Sequence, residues 1–137
     1  MITVNIFNDT DKKYLPYKHV RALIPKVLKS YGIKNMSVNV VYVDDATILE
    51  LNKQYLKHNY FTDVITFDFG SNSEIPAEIY ISVETARKQA NDYGVSLNEE
   101  IKRLAVHGAL HLVGFKDGTA SERDEMKLLE NKFLGIE

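Results

Sequence analysis

The chain has no cysteine among its 137 residues, which excludes disulfides, thiolate metal ligands and a cysteine nucleophile. Any metal site must be built from nitrogen and oxygen, and the composition suits a reducing compartment. No apolar run approaches the roughly 18 residues of a membrane span, and the N-terminal MITVNIFNDTDKKY lacks a basic stretch followed by an apolar one. These absences lead to the expectation of a soluble, unsecreted, cytoplasmic protein with no membrane partner. An excess of positive charge is also missing. Seventeen Lys and Arg against 19 Asp and Glu leave a net charge of -2, so the chain exerts no global pull on nucleic acid and any RNA contact must be local. Local basic groups are present at Lys53, Lys57 and His58, at Arg87 and Lys88, and at Lys102 and Arg103. Residues of this kind more often cover solvated helix faces. Repeats, low-complexity stretches and linkers are absent, and the length fits one domain over residues 1–137.

What is present is well patterned. Ile2, Val4 and Ile6 alternate with Thr3 and Asn5 as in a strand. Val20, Leu23, Ile24, Val27 and Leu28 recur at helical spacing between about residues 17 and 31, where Pro25 predicts a kink or break. The β-branched run Met36–Val43 reads as a central strand. Asp44 or Asp45 caps a short helix to about Tyr55, and Val64–Phe69 and Glu78–Ser82 read as an antiparallel pair of strands. A helix comes next over about residues 83–93, with Glu84 and Lys88 spaced to pair. Ser96 with Glu99 and Thr119 with Glu122 are capping-box signatures for two more helices, the second burying Met126, Leu129 and Phe133. The resulting order, β-α-β-α-β-β-α-α-α, predicts an α+β (α/β) fold: a small four-stranded mixed sheet packed with about five helices.

Chemistry concentrates in HGALHLVGFKD, residues 107–117, which sets out His107, His111, Gly114 and Asp117 as H-x3-H-x2-G-x2-D. Histidines four apart project from one helix face and can grip one cation. A glycine after the last turn takes the left-handed conformation and lets the chain fold back, bringing Asp117 over that face. Three ligands leave one position open, the arrangement of a catalytic zinc site with one ion per chain. The spacing is also that of metzincin peptidases, yet the glutamate that serves H-E-x-x-H enzymes as general base is replaced by Gly108. A lone helical histidine is more often a packed or surface residue. It is the whole set that points to a metal.

At these residues the chain resembles the YbeY family of bacterial endoribonucleases and rRNA-maturation factors, whose signature reads HGxLHLxGYDH. His107, Gly108, Leu110, His111, Leu112 and Gly114 match it, and Phe115 stands for the tyrosine. Leu51-Asn52 with Tyr55, the stretch from Thr62 to Phe67, Glu78-Ile79 and Gln89-Ala90 also resemble family segments in order, so the likeness spans roughly residues 36–134. The resemblance implies a single α/β domain with a small mixed sheet and a zinc-dependent endoribonuclease. Its partners would be single-stranded or ribosomal RNA and ribosomal subunits, with no organic cofactor. Two departures from the family pattern matter more than the matches. Asp117 replaces the usual third histidine ligand, for which a carboxylate is a competent substitute, and Leu56 stands where the family carries an arginine. Lys57 or His58 can bring positive charge next to Leu56, though not arginine's bidentate fork. Asp63, on the lip of the third strand, is the candidate base or orienting group; as a plain residue it reads as a turn or strand cap. His19 has no evident partner. Two rival readings are a metzincin-like metallopeptidase and a non-catalytic ribosome-assembly factor with a structural metal.

Overall fold

A computed structural model describes residues 1–56, 62–70 and 73–136. Four strands form one sheet in the order β1 (Ile2–Asn8), β2 (Met36–Val43), β4 (Ala77–Ser82), β3 (Val64–Phe67). β1–β2 and β2–β4 are parallel, and β3 is antiparallel to β4. The expected mixed sheet and the central place of the β-branched strand are both present. One face carries Ile6, Val40, Ile79 and Thr66 in a single row. Alternation therefore gives the sheet an apolar side against which helices pack.

That side is covered by α1 (Lys18–Ser30) and α4 (Leu97–Leu112). In α1, Val20, Ile24, Val27 and Leu28 are all fully buried. The helix runs unbroken through Pro25, contrary to the break expected there. Proline costs one hydrogen bond, that to the carbonyl of Arg21. Arg21 lies on the solvent side, where water can take over, and the four buried side chains outweigh a penalty of about 3 kcal/mol. On the opposite face of the sheet α2 (Asp45–Leu51) buries Ile48 against Val43 and Ile65. Asp44 caps α2 by accepting the Thr47 N–H at 2.9 Å. A π-helical turn, Asn52–Leu56, continues it, and Tyr55 in that turn packs edge-on against Phe67.

Helix α3 (Val83–Tyr93) starts on a Ser82 cap and ends at left-handed Gly94. Glu84 does not pair with Lys88. Its carboxylate instead accepts the Asp45 N–H at 2.9 Å, meeting one of the donors left open at the start of α2. Ser96 caps α4 through the Glu99 N–H, and Thr119 and Glu122 form the full reciprocal box at the start of α5 (Ala120–Leu134). Helix α4 is buried on nearly every side, with the sheet beneath it and α1, α3 and α5 around it. Gly108 makes this possible: a Cβ there would lie 2.8 Å from Ile79 Cγ2 and 3.2 Å from Thr66 Oγ1. No helix among the described residues is long and apolar enough to cross a membrane.

Candidate metal centre

The last turns of α4 carry His107 and His111 on one face, and the chain beyond the helix brings the third group back to them. Gly114 adopts φ +106°, a conformation costly for any residue with a Cβ. The Phe115 N–H returns to the Leu110 carbonyl at 3.1 Å, closing the helix. The backbone then doubles over the helix end and sets Asp117 Oδ2 3.0 Å from His107 Nε2 and 3.3 Å from His111 Nε2, the two nitrogens being 3.0 Å apart. The three residues picked from spacing thus converge, and among the described residues they are the one His/Cys/Asp/Glu group placed to hold an ion.

The other ring nitrogens decide what that convergence means. His107 Nδ1 lies 2.7 Å from Glu130 Oε2, and His111 Nδ1 lies 2.9 Å from the Phe115 carbonyl oxygen. Carboxylate and carbonyl oxygens only accept, so each Nδ1 carries the proton and each Nε2 offers a lone pair. Two lone pairs and a carboxylate oxygen facing one another repel unless a cation, or a proton shared between His107 and Asp117, lies among them. A tetrahedral zinc ion with ligands at about 2.0–2.1 Å needs donors roughly 3.4 Å apart, so a small outward relaxation of the three groups admits it. The donor set and the fixed tautomers fit a metal.

Glu130 is the main residue that the sequence reading missed. Its Oε1 accepts from Arg103 at 3.0 Å, and Arg103 also donates to Asn131 Oδ1 at 2.7 Å. Arg103, which the sequence offers with Lys102 as a local basic pair, is therefore spent inside the fold, holding Glu130 against His107. The signal was available: Glu130 falls on the inner stripe of α5 between Met126 and Phe133, where a carboxylate requires a partner. The pKa of His107 is raised. Burial is the largest single influence and works against its charge, but the hydrogen bond and charge of Glu130, with Asp117 and Asp63, outweigh it.

Two cavities meet at the centre. One, about 500 Å³, lies among α3, α4 and α5; the other, about 440 Å³, runs along β3 past Asn52 and His111. Asp63, His107 and Asp117 line both. Asp63 is anchored through its carbonyl, which accepts the Ser82 N–H at 2.9 Å, and its carboxylate accepts from Gln89 Nε2 at 3.2 Å. It stands beside His107, His111 and Asp117 without joining their group. Lys57 and His58 lie outside the described residues, as does any account of the Leu56 side chain. His19 and Asp124 are exposed and take no part in the group.

Gly108 bears on the peptidase alternative. It faces Ile79 and Thr66 on the sheet, so no glutamate can occupy the position that H-E-x-x-H enzymes reserve for their base.

Comparison with known proteins agrees with this geometry. A model of the family described as endoribonuclease YbeY matches residues 5–136. Proteins named endoribonuclease YbeY share 40% identity in Parabacteroides distasonis, over 87% of this chain and 84% of the relative. In Flavobacterium psychrophilum the figures are 42%, over 82% and 81%, and in Chloroherpeton thalassium 36%, over 94% and 92%. The solution structure of a Thermotoga maritima protein shares the fold with a TM-score of 0.65 at 24% identity, covering 97% of this chain and 90% of the other. Motif, fold and relatives agree, and the chain belongs to the endoribonuclease YbeY family.

Proposed function

We propose that the chain, acting as one domain, is a zinc-dependent endoribonuclease that cleaves single-stranded RNA in ribosomal RNA maturation in the cytoplasm and engages ribosomal subunits. The observation that carries this reading is the convergence of three lone-pair donors, with their tautomers fixed from behind, at the junction of two open cavities. A strand laid from one cavity to the other brings a phosphodiester to the ligands. Names borne by the relatives supply the substrate class.

A bound zinc ion supplies a Lewis acid for the phosphoryl oxygen and makes water acidic enough to attack near neutral pH. The rest falls to the chain's own residues. His107, His111 and Asp117 hold the ion. Glu130 and the Phe115 carbonyl keep both imidazoles aimed, a support whose loss commonly costs about 10- to 100-fold in metal affinity. Asp63, beside the ligands and steadied by Gln89, orients the attacking water and accepts its proton. Lys57, one residue beyond the π turn, is the cation offered to the phosphate.

Leu56, in place of the family's arginine, favours a second reading, a non-catalytic ribosome-assembly factor with a structural metal. The experiment is cleavage of end-labelled single-stranded RNA by purified protein with chelator, with chelator then zinc, and with His107→Ala. Cutting that stops with chelator, returns with zinc and is lost in the variant supports the nuclease. Zinc-loaded protein that binds ribosomal subunits but leaves RNA intact decides for the assembly role.

A further inference from the structure

The cavity among α3, α4 and α5 contains a group for which the metal centre has no use. Glu100 lines it, is only 2% exposed, and its carboxyl makes no hydrogen bond or ion pair among the described residues. The carboxyl opens onto the cavity, the charge of Arg103 offsets only part of the effect of burial on it, and no neighbour among the described residues donates to it. Arg103 is committed to Glu130 and Asn131, and Gln89 donates to Asp63. The surroundings suggest what would. Leu104 and Met126 give the cavity apolar walls, and Tyr93, 67% exposed, stands beside it as a stacking surface. Arg123 and Lys127, one turn apart on α5, line it as cations. An acceptor within, apolar walls, an aromatic ring and two cations match the parts of a nucleotide, and about 500 Å³ is room enough for one.

We propose that this cavity is a base-reading subsite that takes guanine, with the Glu100 carboxylate accepting both N1–H and N2–H and with Arg123 and Lys127 facing the phosphate. The proposal rests on the ribonuclease reading and deepens it. Guanine alone among the four RNA bases offers two adjacent N–H donors on its pairing edge. Uracil has one, and adenine and cytosine set an acceptor beside their amino group, where a carboxylate meets a lone pair. The state of Glu100 agrees: its pKa is pushed up to about 7, chiefly by burial, with the charges of Asp63 and Glu130 adding and Arg103 opposing. Such a group gains more from two good donors than an exposed carboxylate would.

The test is calorimetric titration of the full chain, with chelator present, against guanosine, adenosine, cytidine and uridine 5′-monophosphates. Guanosine monophosphate should bind about tenfold or more tighter than the others, as expected where a buried hydrogen-bonding group rejects a mismatched edge. Glu100→Gln presents one donor and one acceptor, a pair that every base edge can match, and should erase the guanine preference, while Tyr93→Ala, at an exposed position, should weaken all four. Equal affinities, no binding at millimolar nucleotide, or a guanine preference that survives in Glu100→Gln would overturn the proposal. Cleavage of random-sequence RNA separates the two readings. A guanine-selective protein that cuts nothing keeps the subsite and loses the nuclease, whereas cutting without base preference does the reverse.

Discussion

His107 shows how much of a site one side chain can organise. One ring nitrogen meets the two partner ligands and the other meets Glu130, which Arg103 holds from α4 itself. Glu130→Gln keeps an acceptor for the imidazole but loses the charge that ties it to Arg103, so zinc affinity should fall by about 10- to 100-fold in a chelator-competition assay. Unchanged affinity would show that His107 is aimed by packing alone. Glu100 gives a prediction about pH. Burial pushes its pKa from the ordinary carboxyl value of 4.5 up to about 7, so the fold bears no cost below about 4.5, an increasing one as pH rises, and the full one above 7. Arg103, Asp63 and Glu130 act on its charge, and Tyr93, His107, Asp117, Arg123 and Lys127 are the other titratable groups lining the cavity. Because Gln mimics the protonated form, Glu100→Gln should be more stable than wild type at pH 8, by roughly 1–2 kcal/mol after allowing for the open cavity, and no more stable at pH 4.5. Melting curves at the two pH values check both ends. The grouping of His107, His111 and Asp117 was legible in the sequence because eleven consecutive residues hold all three. Glu130 was not, since only the packing of α5 on α4 brings it to His107.

Among the elements, α4 carries the largest share. It lies in the core with the sheet on one side, and its closest approach is at Gly108. Gly108→Ala should gain helix propensity of about 1 kcal/mol and still lose stability overall, by roughly 1–3 kcal/mol, because fully buried Ile79 has nowhere to move. A lower thermal midpoint checks this, and a raised one would mean that strand and helix can separate without cost. Helix and strand positions were mostly legible from period and caps. Of the kink or break expected at Pro25 the break is absent, because the local rule against proline ignores what the rest of α1 buries, and Glu84 leaves Lys88 because its carboxylate finds a backbone donor on α2. At both residues a partner distant in sequence overrode the local rule.

Across the whole molecule, the sequence implied a mixed sheet but not the strand order, because nothing local says that β4 inserts between β2 and β3. That order leaves β1 and β3 as the two edges. They are unlike. β3 has four residues and stands between Asp63 and Asp68, short and charged at both ends. β1 has seven, none of them ionisable, with Phe7 half exposed near its end, and among the described residues no strand pairs with its outer side. A long neutral edge with open N–H and C=O groups is a template for another copy of itself. Crowded solutions of this protein should therefore grow oligomers by joining sheet to sheet through β1, on the side of the sheet away from β3. Thr3→Lys, at an exposed position, should suppress that growth in light scattering at high concentration while leaving zinc content unchanged; equal scattering from both proteins would place the contact elsewhere. The open edge lies at the first strand and the His107, His111 and Asp117 group at the far end of α4, so a substitution on the one leaves the other untouched.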